Sequence, residues 1–194
     1  MSASNRLLHR LAKCIRINGN EKGKKEETSV TKKNHTKTLV ISGILAALIF
    51  VFTFLIRVPV NSTGAYMNIG DSVIYCAGML VGAPWAAAAS GIGSMLADIL
   101  LGGGIYIPAT LVIKALMGLV CALLMKNAGL PKFILACVLG GAIMTVGYGL
   151  FELALFGWAY AVGTLPFNLL QWAAGVAVAA ALYYPVKRTK GLLS

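Results

Sequence analysis

The sequence predicts an all-α integral membrane protein, a bundle of six transmembrane helices with amino and carboxyl ends both cytoplasmic, and three observations predict it. Apolar residues make up 58% of the chain and charged residues 12%, with a mean hydropathy of +0.80, far from the balance of a water-soluble domain. From about Thr38 to Tyr184, apolar segments are separated by only short polar stretches, and several reach the roughly 17 to 25 residues that cross about 30 Å of hydrocarbon. Basic residues are unevenly placed: Arg6, Arg10, Lys13, Arg16, Lys22, Lys24, Lys25, Lys32, Lys33 and Lys37 all precede the first apolar segment. The net charge of +11 is therefore a topology signal before it is a ligand signal, and no nucleic-acid partner is inferred from it.

The spans run approximately Thr38 to Val58, Ser72 to Gly82, Trp85 to Leu101, Pro108 to Met125, Phe133 to Phe156 and Pro166 to Tyr184. The second is short, and Gly82-Ala83-Pro84 permits only a tight turn before the third, because proline cannot continue a helix without losing a hydrogen bond. Pro108 and Pro166 suit first-turn positions, where a missing N–H costs nothing. An inside amino end places Lys126, Lys132, Lys187, Arg188 and Lys190 inside as well, leaving only Arg57 at an outer end and Lys114 within a span. The chain is thus expected to divide into a basic, disordered cytoplasmic tail over 1–37, a membrane domain over 38–185 and a short basic cytoplasmic tail over 186–194. The amino end lacks the apolar core and small-residue site of a cleaved signal peptide.

Past residue 37 the only acidic side chains are Asp71, Asp98 and Glu152, each costly if ionised and unpaired at depth. In this topology all three lie near the outer ends of their spans. Lys114 lies six residues past Pro108, about 9 Å down at 1.5 Å per residue, with a side chain that leans back outwards. Helical spacing adds Ser90 and Ser94 to the face of Asp98, Thr110 to that of Lys114, and Thr145 and Tyr148 to that of Glu152. Asn168, Gln171, Trp172 and Gly175 share a face of the last span, while Tyr66, Asn68, Tyr106 and Trp158 belong to the outer loops or their edges. One reading makes these mere register-fixing pairs, Asp98 with Lys114 and Glu152 with Tyr148 or Gln171, inside an interfacial aromatic belt. The other makes the layer a pocket open to the outside, mixing aromatic faces, amides and a few charges as a site for a small polar or heteroaromatic molecule does. The size of the set favours the pocket. No polar line continues to the inner face, which disfavours ion conduction.

Other chemistry finds no support in the residues. There is no GxxxxGK[ST] loop to cradle a phosphate, and the only histidines, His9 and His35, stand in or beside the tail. Cys14, Cys76, Cys121 and Cys137 are widely separated, so neither disulfide nor metal site is inferred. Gly91-Ile92-Gly93 and Gly102 to Gly104 are read as packing and turn glycines.

The stretch Asn68-Ile69-Gly70-Asp71-Ser72-Val73-Ile74, then Gly82-Ala83-Pro84, then GIGSMLADILLGGGIYIPATLVIKALMGL from Gly91 to Leu119 resembles the substrate-binding S components of energy-coupling factor (ECF) vitamin transporters, in the riboflavin- and hydroxymethylpyrimidine-type group. Leu165 to Gln171 agrees with it, and the resemblance covers about 38–185; the long basic tail departs from it. It implies a multi-pass protein of the bacterial cell membrane that captures a vitamin or precursor at the outer face. It also implies docking on a coupling transmembrane protein that carries two ABC-type ATPases. The loop Arg57 to Gly70 would help close the site, and small residues of the first span, Gly43, Ala46 and Ala47, would contact the coupling protein. The candidate ligand contacts are Asn68, Asp71, Asp98, Tyr106, Lys114, Tyr148, Glu152, Asn168, Gln171 and Trp172, with no catalytic set, metal or cofactor. Riboflavin, hydroxymethylpyrimidine and a pyridoxine-like compound all fit that description. Two competing readings are a membrane assembly factor whose polar layer only packs, and a membrane enzyme using Asp71, Asp98 and Glu152 as metal or acid/base carboxylates.

Overall fold

The structure, a computed structural model, describes residues 35–60, 66–125 and 129–193. The basic tail up to residue 34, part of the first loop and Lys126 lie outside the described residues. The chain divides into two units, Met1–Leu39, of which only the start of the first helix is described, and Val40–Ser194, which holds everything that follows. The elements are α1 His35–Leu55, β1 Arg57–Pro59, β2 Tyr66–Asn68, α2 Gly70–Leu80, α3 Ala83–Leu100, α4 Tyr106–Leu124, α5 Leu130–Phe156 and α6 Trp158–Leu193.

Among the described residues four helices, α1, α4, α5 and α6, are long and apolar enough to cross a membrane. Their pattern is that of a protein dissolved in lipid. On α1 a narrow inward stripe of Ser42, Leu45, Ile49 and Thr53 is buried, while Val40, Ile44, Leu48, Val51 and Leu55 are exposed and equally apolar. Leucine and valine cover the outward faces of α4 and α5 in the same way.

At the centre stands α2, whose residues from Gly70 to Met79 are all buried. Its 11 residues span only about 16 Å, too short to cross alone. It packs against α3, α4, α5 and α6, and close approach is what places it there. A methyl group added to Gly78 would meet the Cys121 side chain at 2.9 Å and the Ala122 nitrogen at 3.0 Å. The same device joins α3 to α4, where a methyl on Gly118 would sit 2.6 Å from the Ala86 carbonyl oxygen. Around α2 the core is mostly apolar, built on Tyr75, Met117, Phe133, Met144 and Tyr183, with Cys76, Cys121 and Cys137 as free buried thiols.

Three features differ from the sequence expectation. The connection between α1 and α2, expected as a loop, forms an antiparallel two-stranded hairpin pairing Arg57 with Asn68, Val58 with Met67 and Pro59 with Tyr66. The last helix begins at Trp158, so Pro166 lies inside it rather than in its first turn. The two turns before the proline are held by tertiary contacts that outweigh one lost backbone bond: the Tyr160 ring packs tilted against Phe156 at 4.5 Å, and Thr164 binds Glu152. The helix also continues through Pro185, so the segment expected as a tail after residue 185 is helical to Leu193.

Only Gly157 separates α5 from α6, with φ +84 and ψ 178, a region that side-chain-bearing residues avoid. Gly157→Ala is expected to destabilise by about 1–2 kcal/mol, read as a lower thermal unfolding midpoint in detergent. An unchanged midpoint would mean that this joint can be rebuilt without strain.

Candidate functional site

Where the polar ends of the helices meet, they enclose an open-mouthed cavity with about 450 Å³ of empty space including its mouth. Helix α1 contributes Thr53, β2 Tyr66 and Asn68, α3 Ser94 and Asp98, α4 Tyr106, Thr110 and Lys114, α5 Tyr148 and Glu152, and α6 Asn168 and Gln171. Each helical contribution follows the i, i+4 or i, i+3 spacing that puts side chains on one face.

Three hydrogen-bonded groups form its walls. In the first, the Lys114 ammonium lies 2.5 Å from Asp71 Oδ1, with both side chains almost fully buried. Asp71 stands in the first turn of α2, where the unpaired N–H groups favour an anion. Gln171 completes this group, donating from Nε2 to Asp71 Oδ2 at 2.7 Å and accepting from the Asn68 backbone N–H at 3.0 Å. The Asn68 side-chain oxygen accepts from the Gly70 N–H at 2.9 Å and so tethers the hairpin to the start of α2. One glutamine therefore connects the hairpin over the cavity to the buried ion pair beneath it.

In the second group, the Tyr66 hydroxyl donates to Asp98 Oδ1. Burial, and then the neighbouring Asp98 carboxylate, push the Tyr66 phenol well above its ordinary pKa, so it remains a donor. The other oxygen of Asp98 is buried without a hydrogen-bond partner.

In the third, Glu152 accepts from Tyr106 at 3.2 Å and from Thr164 at 2.5 Å. The Tyr106 and Tyr160 hydroxyls meet at 3.1 Å, and those of Thr110 and Tyr148 at 2.8 Å. The Tyr106 ring packs 5.3 Å from Phe151 and 6.4 Å from Tyr148, while Lys114 lies 5.5 Å over the Tyr148 ring.

Of the sequence candidates, Asn68, Asp98, Tyr106, Lys114, Tyr148, Glu152, Asn168 and Gln171 line the cavity. Asp71 lies one layer behind, reaching the cavity through Lys114 and Gln171. Trp172 is not in the lining. Its indole is pressed against Gly141 of α5, where even a methyl group would overlap the ring. The pairings also differ from those expected for a register-fixing layer: Lys114 takes Asp71 rather than Asp98, and Glu152 takes Tyr106 and Thr164 rather than Tyr148 or Gln171. Thr53 and Thr164 escaped sequence reading. Thr53 had a signal, a hydroxyl four residues past Ile49 on the buried stripe of the first span, whereas Thr164 was hidden by starting the last helix at Pro166. Of the expected partner contacts, Gly43 and Ala47 are exposed, while Ala46 is half-buried, with its carbonyl oxygen 2.5 Å from where a methyl on Gly93 would sit.

Known proteins share this architecture and sequence. Residues 33–188 match the family described as ECF-type riboflavin transporter, S component. The thiamine precursor transporter HmpT of Lactococcus lactis subsp. cremoris is 30% identical over 160 residues, 81% of this chain and 92% of that protein. An uncharacterized protein of Pyrococcus woesei is 32% identical over 142 residues, covering 73% of this chain and 95% of its own length. The crystal structure of FolT bound with folic acid superposes with a TM-score of 0.63 over 80% of this chain and 97% of FolT, at 19% identity, which shows a shared fold. With most of its length matched, the chain belongs to the ECF-type riboflavin transporter S-component family: it is a membrane-embedded, vitamin-binding transport subunit and not an enzyme.

Proposed function

We propose that the polar cavity is the substrate site, that it opens to the outer face of a bacterial cell membrane, and that it takes a small water-soluble vitamin or precursor with a heteroaromatic ring. The single observation that carries this reading is the lining itself. Five helices and the hairpin send hydroxyls, amides, carboxylates and three tyrosine rings to one cavity, whereas the opposite half of the bundle is largely apolar. That HmpT is described as a thiamine precursor transporter agrees with a vitamin or vitamin precursor as the ligand.

In this reading all six helices belong to the membrane domain, with α2 and α3 completing the bundle around the four long ones. Both ends are cytoplasmic, including the basic residues 1–37 and the Lys187, Arg188 and Lys190 end of α6. The chain holds no ATP-binding loop, so uptake runs through a coupling transmembrane protein and its two ABC-type ATPases. Gly43, Ala46 and Ala47 of α1 form the docking strip, the exposed Gly43 and Ala47 directly and Ala46 from the side.

The test separates capture from delivery. Ala47→Trp should leave vitamin affinity of the purified protein within about 2-fold, because the residue faces outward on the far side of α1 from Thr53, yet reduce uptake by cells about 10-fold or more. Equal loss of binding and uptake would remove α1 as the docking strip. The absence of saturable binding of any water-soluble vitamin to the unaltered protein would remove the cavity as the substrate site.

A further inference from the structure

We propose that the ends of α5 and α6 farthest from the cavity form a docking surface for anionic phospholipid, with Lys132, Lys187, Arg188 and Lys190 holding the headgroup phosphates. The surface is independent of which compound the cavity takes.

The depth of these residues matches a headgroup layer. At 1.5 Å per residue, Lys132 stands about 30 Å along α5 from Glu152, and Lys187 about 28 Å along α6 from Asn168. Glu152 and Asn168 both line the cavity, so the cations stand about one hydrocarbon thickness away from it. The length of α6 makes this possible. Its 36 residues span about 54 Å, well beyond the hydrocarbon, and the helix passes Pro185 without ending. Lys187, Arg188 and Lys190 are exposed on the turns that project, and Lys132 is exposed at the start of α5.

Packing joins the two helices at that level. The Phe133 ring lies 5.1 Å from that of Tyr183, which sets the start of α5, with Lys132, against α6. Lys187 lies 5.5 Å over the same Tyr183 ring, a contact that turns its long side chain back along the helix and keeps the ammonium at the boundary. Lys132 and Lys187 are thus brought to one aromatic pair from different helices. The exposed Tyr184 adds an interfacial ring on the face of Lys187 and Arg188, three and four residues on.

Charge and surface together select the occupant. From residue 38 onward the acidic side chains are Asp71, Asp98 and Glu152, all lining the cavity or directly behind it. No carboxylate of the membrane domain therefore neutralises the four cations. Groups of basic residues beside a membrane span attract anionic headgroups, and the attraction falls as salt rises. Lipid fits better than a water-borne anion because the basic ends run straight into apolar surface. Leu135, one turn past Lys132, and Leu182, just before the aromatic pair on α6, are both exposed, so a headgroup held by the cations has its acyl chains beside leucine.

The test is lipid binding to the purified full chain in detergent, titrated with phosphatidylglycerol and with phosphatidylcholine and read by native mass spectrometry. The comparison is the variant Lys132→Gln, Lys187→Gln, Arg188→Gln and Lys190→Gln. Both proteins keep the ten basic residues that precede the first span, so their difference reports the cluster alone. The unaltered protein is expected to hold phosphatidylglycerol about 10-fold or more tightly than phosphatidylcholine, with a smaller preference at high salt, and the variant about 3-fold or less. Phosphatidylglycerol should also raise the unfolding midpoint of the unaltered protein and not that of the variant. If the four changes lower the lipid-free midpoint, the pair Lys187→Gln with Arg188→Gln should still cut the preference about 3-fold. An equal preference in the unaltered protein and both variants overturns the proposal, because the lipid contact then lies on other basic residues. Displacement of the lipid by millimolar inorganic phosphate overturns it in favour of a soluble-anion site. Loss of assembly with the coupling protein, with lipid preference intact in the variant, overturns it in favour of a protein partner. Vitamin titration of the cavity is a separate measurement, so failure of one reading is distinguishable from failure of the other.

Discussion

Lys114→Met should destabilise the protein by about 3–5 kcal/mol, the range found when one partner of a buried ion pair is removed and the other stays. The expected victim is Asp71, whose Oδ1 loses its ammonium and whose Oδ2 retains only Gln171. Because α2 is buried along nearly its whole length, that carboxylate has no route to water. The double change Lys114→Met with Asp71→Asn should recover most of the loss, since it removes both charges and leaves an amide that Gln171 can still bond. Thermal unfolding in detergent for the four proteins of that cycle decides it. A single Lys114→Met with a near-native midpoint would mean that the Lys114–Asp71 pair contributes little beyond charge balance. Ligand binding gives a second readout, because Lys114 also lines the cavity, whereas Asp71 does not.

Gln171→Leu should have the next largest effect, about 1.5–3 kcal/mol, as a hydrogen bond to a charged group and another to backbone are lost together. Its consequence is directional. The hairpin keeps the Tyr66–Asp98 bond but loses the tie from the Asn68 N–H, so the mouth of the cavity should open more often. Faster ligand release with little change in the association rate is expected, together with faster amide exchange at Asn68 and its strand neighbours. Tyr66→Phe provides the comparison, since it cuts the other tie and spares the ion pair. Slow release in both variants would show that the hairpin is not what retains the ligand.

The fold class could be read from the chain because its causes are local. Hydrophobic run length sets how many segments can cross a bilayer, and α1, α4 and α5 begin and end close to where the runs do. Gly82-Ala83-Pro84 marked the turn into α3, and Gly102 and Gly104 adopt the positive φ that a glycine turn permits. The start of α6 was misplaced because proline's local preference is a single lost bond, while the contacts that overrule it come from α5.

The candidate site divides along the same line. Helical period and distance from the span ends put Asp98, Lys114, Tyr148, Glu152, Asn168 and Gln171 at one depth and on definite faces, and those residues line one cavity with Tyr106 from the edge of an outer loop. Depth and face are properties of a single helix. The choice of partner is not: Lys114 takes Asp71 over Asp98 because the short α2 packs against α4 through Gly78, a contact between helices that no spacing within either reveals. Trp172 shares a helical face with Gln171 yet packs on Gly141, because the azimuth of α6 relative to α5 directs neighbouring residues to different surroundings. The sequence by itself determined a lipid-dissolved helical bundle with an acidic and aromatic layer at one end. Tertiary structure alone decided which carboxylate the lysine pairs with, and so which two are left with hydroxyl donors, because pairing between helices is a property of helices already packed.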